Sequence, residues 1–215
     1  MRIFFVASSC LMLASCASMS KNECLYADWR AIGYEDGAVG APTTAISSRR
    51  QACAKAGVTP DMPAYLAGRD EGLVEYCTPA NGFVVGERGF GYSGVCGRHA
   101  EASFLESYRA GARLHLLRDR VHGASNALIT ATGELDAIQY EITQSSIDLI
   151  RSEMSAVDRA ALVVEITQLS AESDRIERAL PGLRRDVDLA EADLAAYEAQ
   201  LASQPVLTRA RVAVR

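Results

Sequence analysis

From Leu162 to Leu201 the chain places apolar side chains at alternating spacings of four and three. The positions are Leu162, Ile166, Leu169, Ser173, Ile176, Leu180, Leu183, Val187, Ala190, Leu194, Tyr197 and Leu201. That spacing is a heptad seam, the pattern of a helix that packs along its length against another. Upstream, Leu135, Ile138, Ile142, Ser145 and Leu149 keep the same rule in a different phase. The phase breaks between 150 and 160, where Ser155-Ala156-Val157-Asp158 reads as an N-cap with an acid at the third helical position. The pattern predicts one helix from about Ala100, a turn near Ser155, and a second helix ending near Ala202. Together they form a long antiparallel coiled-coil hairpin. Pro181-Gly182 is the rival turn, since proline inside a helix costs about 3 kcal/mol. The heptad keeps its phase through Pro181, however, which suits a kink better than a reversal. Gly123 and the stretch Thr130–Gly133 are further possible breaks in the first helix. The same seam serves a dimer of two chains equally well.

The first half has a different texture. Asp28-Trp29-Arg30-Ala31-Ile32-Gly33-Tyr34-Glu35-Asp36-Gly37 is echoed by Ala64-Tyr65-Leu66-Ala67-Gly68-Arg69-Asp70-Glu71-Gly72. Each copy has an aromatic residue followed by two glycines four apart. Glycine weakens a helix by about 1 kcal/mol relative to alanine. Two on one helical face therefore point to close backbone approach. Segments 24–38 and 62–76 are predicted as two helices that cross tightly. Ser47–Ala56 is a third helix, ended by Gly57 and Pro60, and Asp61 and Pro63 open the helix that carries Tyr65. Thr78–Gly86 reads as a turn and short extended segment. It runs into a glycine-rich loop through Gly89, Gly91 and Gly94 to Cys96.

Composition divides the chain near residue 100. Segment 23–97 holds most of the sixteen glycines, the only tryptophan and five of the eight tyrosines, whereas 98–203 is rich in Ala, Leu, Glu and Arg. The expected fold class is mainly α: a small disulfide-stapled helical domain with a glycine-rich loop, then the hairpin. The expected segments are a signal peptide at 1–15, a lipidated tether at 16–22, the stapled domain at 23–98, the hairpin at 99–203 and a tail at 204–215.

The signal peptide comes from Met1–Cys16. Arg2 precedes an apolar core at Ile3–Leu13, and Leu13-Ala14-Ser15-Cys16 has the form of a lipoprotein processing site. The core is too short to be a permanent membrane span. Cys16 would carry the acyl chains, and three chains give a near-permanent anchor where one binds only marginally. No aspartate follows Cys16, so the outer membrane of a Gram-negative cell, facing the periplasm, is the default destination. Cleavage removes Arg2 and takes the net charge from −5 to −6, which argues against a nucleic-acid partner. Cys24, Cys53, Cys77 and Cys96 remain, an even number in an exported chain, and read as two disulfides. No C-x-x-C pair is present, and His99, His115 and His122 lack zinc-finger spacing, so neither a metal site nor a cofactor is expected. Neighbouring helix ends favour Cys24–Cys53, and Cys77–Cys96 then closes the glycine-rich loop.

The strings Cys24–Gly37 (CLYADWRAIGYEDG), Tyr65–Cys77 (YLAGRDEGLVEYC) and Asn81–Cys96 (NGFVVGERGFGYSGVC) resemble an uncharacterised group of bacterial lipoproteins, the domain of unknown function 2799 family. The resemblance covers roughly 23–112. It implies an envelope lipoprotein and brings no activity or catalytic residues.

Two functional readings follow. In the first, the chain is not an enzyme: it is tethered to the membrane through Cys16, and its hairpin engages an unidentified envelope protein or a second copy. In the second, Asp36 and Glu71, at matching places in the echoed motifs, meet as the carboxylate pair of a glycan hydrolase. Trp29, Tyr65, Tyr76, Phe83 and Tyr92 would then form a shelf for cell-wall sugar or peptide. Against it, charged helix residues usually face solvent, and aromatics in a domain with few aliphatics are usually core.

Overall fold

The structure, a computed structural model, describes residues 19–151 and 153–203. The proposed signal peptide, Cys16 and the tail at 204–215 lie outside the described residues. Seven α-helices follow in order: α1 (Lys21–Leu25), α2 (Trp29–Ala38), α3 (Ile46–Lys55), α4 (Met62–Tyr76), α5 (Pro79–Glu87), α6 (Arg98–Arg151) and α7 (Ala156–Ala202). Among the described residues no strand occurs, and no helix is long and apolar enough to cross a membrane.

The chain divides into two compact units. One comprises residues up to Thr78 together with Tyr92–Glu101; the other comprises Pro79–Gly91 and the chain from Ala102 onward. Segment 79–91 therefore groups with the hairpin helices, whereas the sequence placed it in the stapled domain.

In the first unit α2 and α4 cross at their glycines. A β-carbon on Gly33 would fall on the Tyr65 carbonyl oxygen, and one on Gly68 would fall on that of Arg30. Gly37 lies in the same way on Arg69, and Gly72 on Tyr34. Each helix thus seats its glycines on the backbone of the other, a contact that no larger residue permits. Two corrections to the sequence reading arise at the N-terminal side. Segment 24–38 is two helices, because Asp28 caps α2 by accepting from the amides of Arg30 and Ala31. Lys21 and Asn22, expected in the tether, already belong to α1, which opens with a capping box between Ser20 and Glu23. Asp61 accepts from Ala64 N and opens α4. Gly57, at φ +73°, follows α3 in the left-handed conformation that favours glycine. The core holds Trp29, Ile46 and Tyr65 around the Cys24–Cys53 disulfide. The second disulfide is Cys77–Cys96, so both pairs are those expected from the sequence.

The second unit repeats the crossing. Thr78–Gly86 was expected to be a turn and extended segment, but Pro79–Glu87 is helix α5. Pro79 sits in its first turn, where a missing N–H does no harm. Gly82 and Gly86 then lie four apart on the face that meets α6. Added β-carbons there would fall on the carbonyl oxygens of Phe104 and Tyr108, and one on Gly111 on that of Phe83. Ser107, the fourth small residue, is buried. Tertiary contact has overridden the turn propensity of Pro79 and Asn81-Gly82. The glycine-rich loop is correspondingly shorter and begins after Glu87, with positive φ at Gly89 and Gly94.

α6 and α7 form the antiparallel hairpin, and Ser155 caps α7 by accepting from Asp158 N. All twelve seam positions from Leu162 to Leu201 are buried or half-buried, as are Leu135, Ile138, Ile142, Ser145 and Leu149. Pro181 lies inside α7, and Gly123 and Gly133 lie inside α6, so none of them turns the chain. Arg120 meets Asp193 at 3.0 Å, and Gln139 donates to Glu177 at 3.3 Å, fixing the antiparallel register. At the open end Phe83, Leu114, Leu117, Tyr197 and Leu201 form the core, and Tyr197 donates to the Ala110 carbonyl at 3.0 Å.

Gly37→Ala should unfold the first unit or destabilise it by about 3 kcal/mol or more, because backbone must move to admit the methyl. Gly123→Ala, with open space around it, should instead gain about 0.5–1 kcal/mol. Urea denaturation of the two variants against wild type checks both signs.

Ile176→Asp should place an unpaired charge in the seam and cost about 3 kcal/mol or more. Because α6 already covers that seam, wild type should show a constant molecular mass on dilution. Helicity melting and sedimentation measure the two outcomes.

Candidate functional site

The first unit contains a buried charged cluster between α2, α3 and α4. The Asp36 carboxylate accepts two bonds from the Arg49 guanidinium, at 2.5 and 3.1 Å, and one from the Tyr65 hydroxyl at 2.8 Å. Asp36 and Tyr65 are 6% and 1% exposed, so the carboxylate is sealed as well as hydrogen-bonded. Buried Arg69 donates from Nη2 to the Ala41 carbonyl at 2.7 Å, and among the described residues its Nε has no partner. Burial pushes the Tyr65 hydroxyl up to about 12. The bond to Asp36 and the Asp36 charge add to that rise, and the charges of Arg69 and Arg49 oppose it. Three donors meet the two oxygens of Asp36, which ties α2 to α3 and α4.

Glu71 has a different fate. It is exposed and ion-pairs with Arg30, also exposed. The two carboxyls are therefore committed to different cations, one buried and one at the surface, and the carboxylate pair considered from the sequence is not assembled. Nor is there an aromatic shelf. Trp29 and Tyr65 are core residues beside the Cys24–Cys53 disulfide. Phe83 belongs to the core of the other unit. Tyr92 is half-buried and accepts from Cys96 N at 2.9 Å, while its hydroxyl lies 3.3 Å from Glu101 Oε1. Burial is the main cause that raises its pKa. Tyr92 thus holds the strand of chain next to a staple.

The hairpin offers the other candidate. Its seam is consumed internally, yet apolar side chains remain exposed around the Ser155 turn. Ile150 is 83% exposed, Val157 77%, Val164 56% and Val163 47%. Arg159 donates to the Leu149 carbonyl at 2.6 Å and ties the two helices at this end. The sequence reading missed these residues, because it used the seam alone. Val157, Ala161 and Val164 follow helical spacing on a second face of α7, and that was the available signal.

These features define a class: a helical protein with two glycine-mediated helix crossings, a disulfide-stapled unit and a coiled-coil hairpin. Residues 28–113 match the family model described as Protein of unknown function (DUF2799). The matched span holds every glycine of both crossings and ends near the start of the hairpin seam. No curated protein matches the chain, and no solved structure matches it.

Tyr65 yields a pH prediction. Its pKa is higher folded than unfolded, so its contribution to stability is complete below pH 10 and is lost as pH rises from 10 through about 12. Tyr65→Phe should remove that part of the alkaline loss while costing about 1 kcal/mol near neutrality. Asp36→Asn should cost about 3–5 kcal/mol, because it leaves Arg49 without its counter-charge beside buried Arg69. Unfolding free energies measured from pH 7 to 12 for the three proteins separate these outcomes.

Proposed function

We propose that this protein is a non-enzymatic lipoprotein of the cell envelope, anchored through acyl chains on Cys16 in the periplasmic leaflet of the outer membrane. Its hairpin is the arm by which it engages another envelope protein. The carrying observation is that the seam is closed within one chain while the turn end keeps exposed aliphatic side chains. A hairpin that has used its seam needs no second copy for stability, and its remaining apolar surface is available to a different partner. At 1.5 Å per residue, α7 reaches on the order of 70 Å, enough to carry that end well away from a membrane. The processing site at Leu13–Cys16 and the family resemblance support the anchor. The sealed state of Asp36 supports a non-enzymatic role.

A photo-crosslinking residue at Val157 or Val164 in intact cells tests the arm. Crosslinks to a different envelope protein, absent when the probe stands at exposed Arg184 in the middle of α7, are the expected result. Crosslinks only between copies would replace the adaptor reading with self-assembly, and an equal yield at Arg184 would reject the turn end as the site. In parallel, Cys16→Ser should shift the protein out of the membrane fraction.

A further inference from the structure

Among 22 basic side chains the chain has only two lysines, Lys21 and Lys55. Both line one shallow groove of about 330 Å³ in the first unit, with Met19, Ala52 and Ala56. Among the described residues neither lysine forms an ion pair. The acid nearest in sequence, Glu23, is turned to its own capping box, where it accepts from Ser20 N at 2.6 Å. Leu25 stands one helical turn from Lys21 on α1 and is 53% exposed, and Tyr26 after it is 86% exposed. The groove on another face of α3, lined by Ser47, Arg50, Gln51 and Thr59, carries an arginine instead.

The position of the lysine groove along the chain gives it meaning. Met19 is three residues after Cys16 and Lys21 is five after it. Five extended residues span at most about 17 Å. Acyl chains on Cys16 would hold the groove within that distance of the lipid headgroups. A lysine ammonium is a compact point charge suited to a phosphate, and each lysine held near an anionic leaflet gains about fivefold in occupancy of the surface. An exposed tyrosine and leucine beside it match the aromatic and apolar side chains that settle into a membrane interface.

We infer that the Lys21–Lys55 groove seats the phosphate of an anionic phospholipid in the leaflet that holds the anchor, with Leu25 and Tyr26 entering the interface beside it. This rests on the proposed lipidation of Cys16. The seat would fix which side of the first unit faces the membrane, which a lipid tether alone does not. The mature chain carries a net negative charge, so attraction to an anionic surface has to be local to this groove.

The scarcity of lysine makes the test direct, because an acylated N-terminus leaves only these two side chains to an amine-acylating reagent. The lipidated full chain is reconstituted in vesicles of phosphatidylcholine alone or with 30% phosphatidylglycerol. It is treated with an uncharged acetylating ester, and each site is read by peptide mass spectrometry. An Arg50→Lys version supplies a reference lysine in the other groove. The expected result is that phosphatidylglycerol slows both Lys21 and Lys55 about fivefold relative to Lys at position 50, and that 0.5 M NaCl restores the rates. Equal slowing at all three sites, or none, would overturn the inference. Equal protection by millimolar inorganic phosphate in detergent would also overturn it, by assigning the groove to free phosphate. The mass of the N-terminal peptide from the same sample separates the two claims: an unmodified Cys16 removes the anchor and the seat together, whereas a lipidated Cys16 with unprotected lysines removes the seat alone.

Discussion

The rest of the structure depends on backbone meeting backbone at glycine. Where α2 crosses α4, and again where α5 crosses α6, the neighbouring helix's carbonyl oxygens occupy the space that side chains would fill. Such contacts supply dispersion and weak Cα–H to carbonyl attraction at short range, but they bury little hydrocarbon. They also hold glycine inside helices, where it is least favourable. Seven glycines serve the two crossings, at a cost of about 4–7 kcal/mol relative to alanine helices. Two disulfides contribute about 4–8 kcal/mol, chiefly by limiting the unfolded chain. The staples and the crossings are therefore one design: close approach gives the geometry, and the crosslinks offset what glycine loses.

The buried Asp36 cluster fits the same constraint. With glycines on the contact face, α2 and α4 cannot lock their register by interdigitating large side chains. Directional bonds do so instead. Asp36 on α2 receives Arg49 from α3 and Tyr65 from α4, so one carboxylate fixes three helices together. Arg69 extends the tie to the Ala41 carbonyl in the segment after α2. A charged group placed here for orientation is easily mistaken for chemistry, since a buried acid beside a tyrosine also describes many active sites. Here the observed partners of Asp36 are a guanidinium and a tyrosine hydroxyl from two neighbouring helices, and the side chain is buried among them.

The sequence was legible where one physical rule decided the outcome alone. The seam from Leu162 to Leu201, the cap at Ser155, the place of Pro181 inside a helix and the cysteine pairing each followed from spacing or helix ends. Glycine spacing also exposed the first crossing, because the motif occurs twice with similar neighbours. It failed at α5, where Pro79, Asn81 and two glycines within nine residues of Thr78 carry strong turn propensity. There helix is imposed by docking on α6, which no local rule reports. Yet Gly82 and Gly86 stand four apart, as do Ser107 and Gly111, so the spacing that revealed the first crossing was present in the second. Its members were read as loop and as seam. The carboxylate pair failed for a related reason. Asp36 and Glu71 hold matching places in an echo, but a crossing of two helices sends matching places to different surroundings, one to α3 and the other to solvent.

The family match and the hairpin divide the molecule in an informative way. The matched span closes at 113, just past Gly111, and so contains the last residue needed for both crossings. It leaves out nearly all of the seam. What the family model matches in this chain is thus the backbone-contact device, not the arm. The arm obeys a looser rule. A heptad seam tolerates Ser, Ala, Val, Leu, Ile and Tyr at its positions here, as long as the covering helix follows the same spacing. Length can change by heptads without disturbing either crossing, because α5 and the open end of the hairpin share a local core around Phe83, Leu114 and Tyr197. The crossings admit almost no substitution at their glycines, whereas the seam admits many. The α5–α6 crossing fixes the open end of the hairpin, and the seam alone sets the length beyond it.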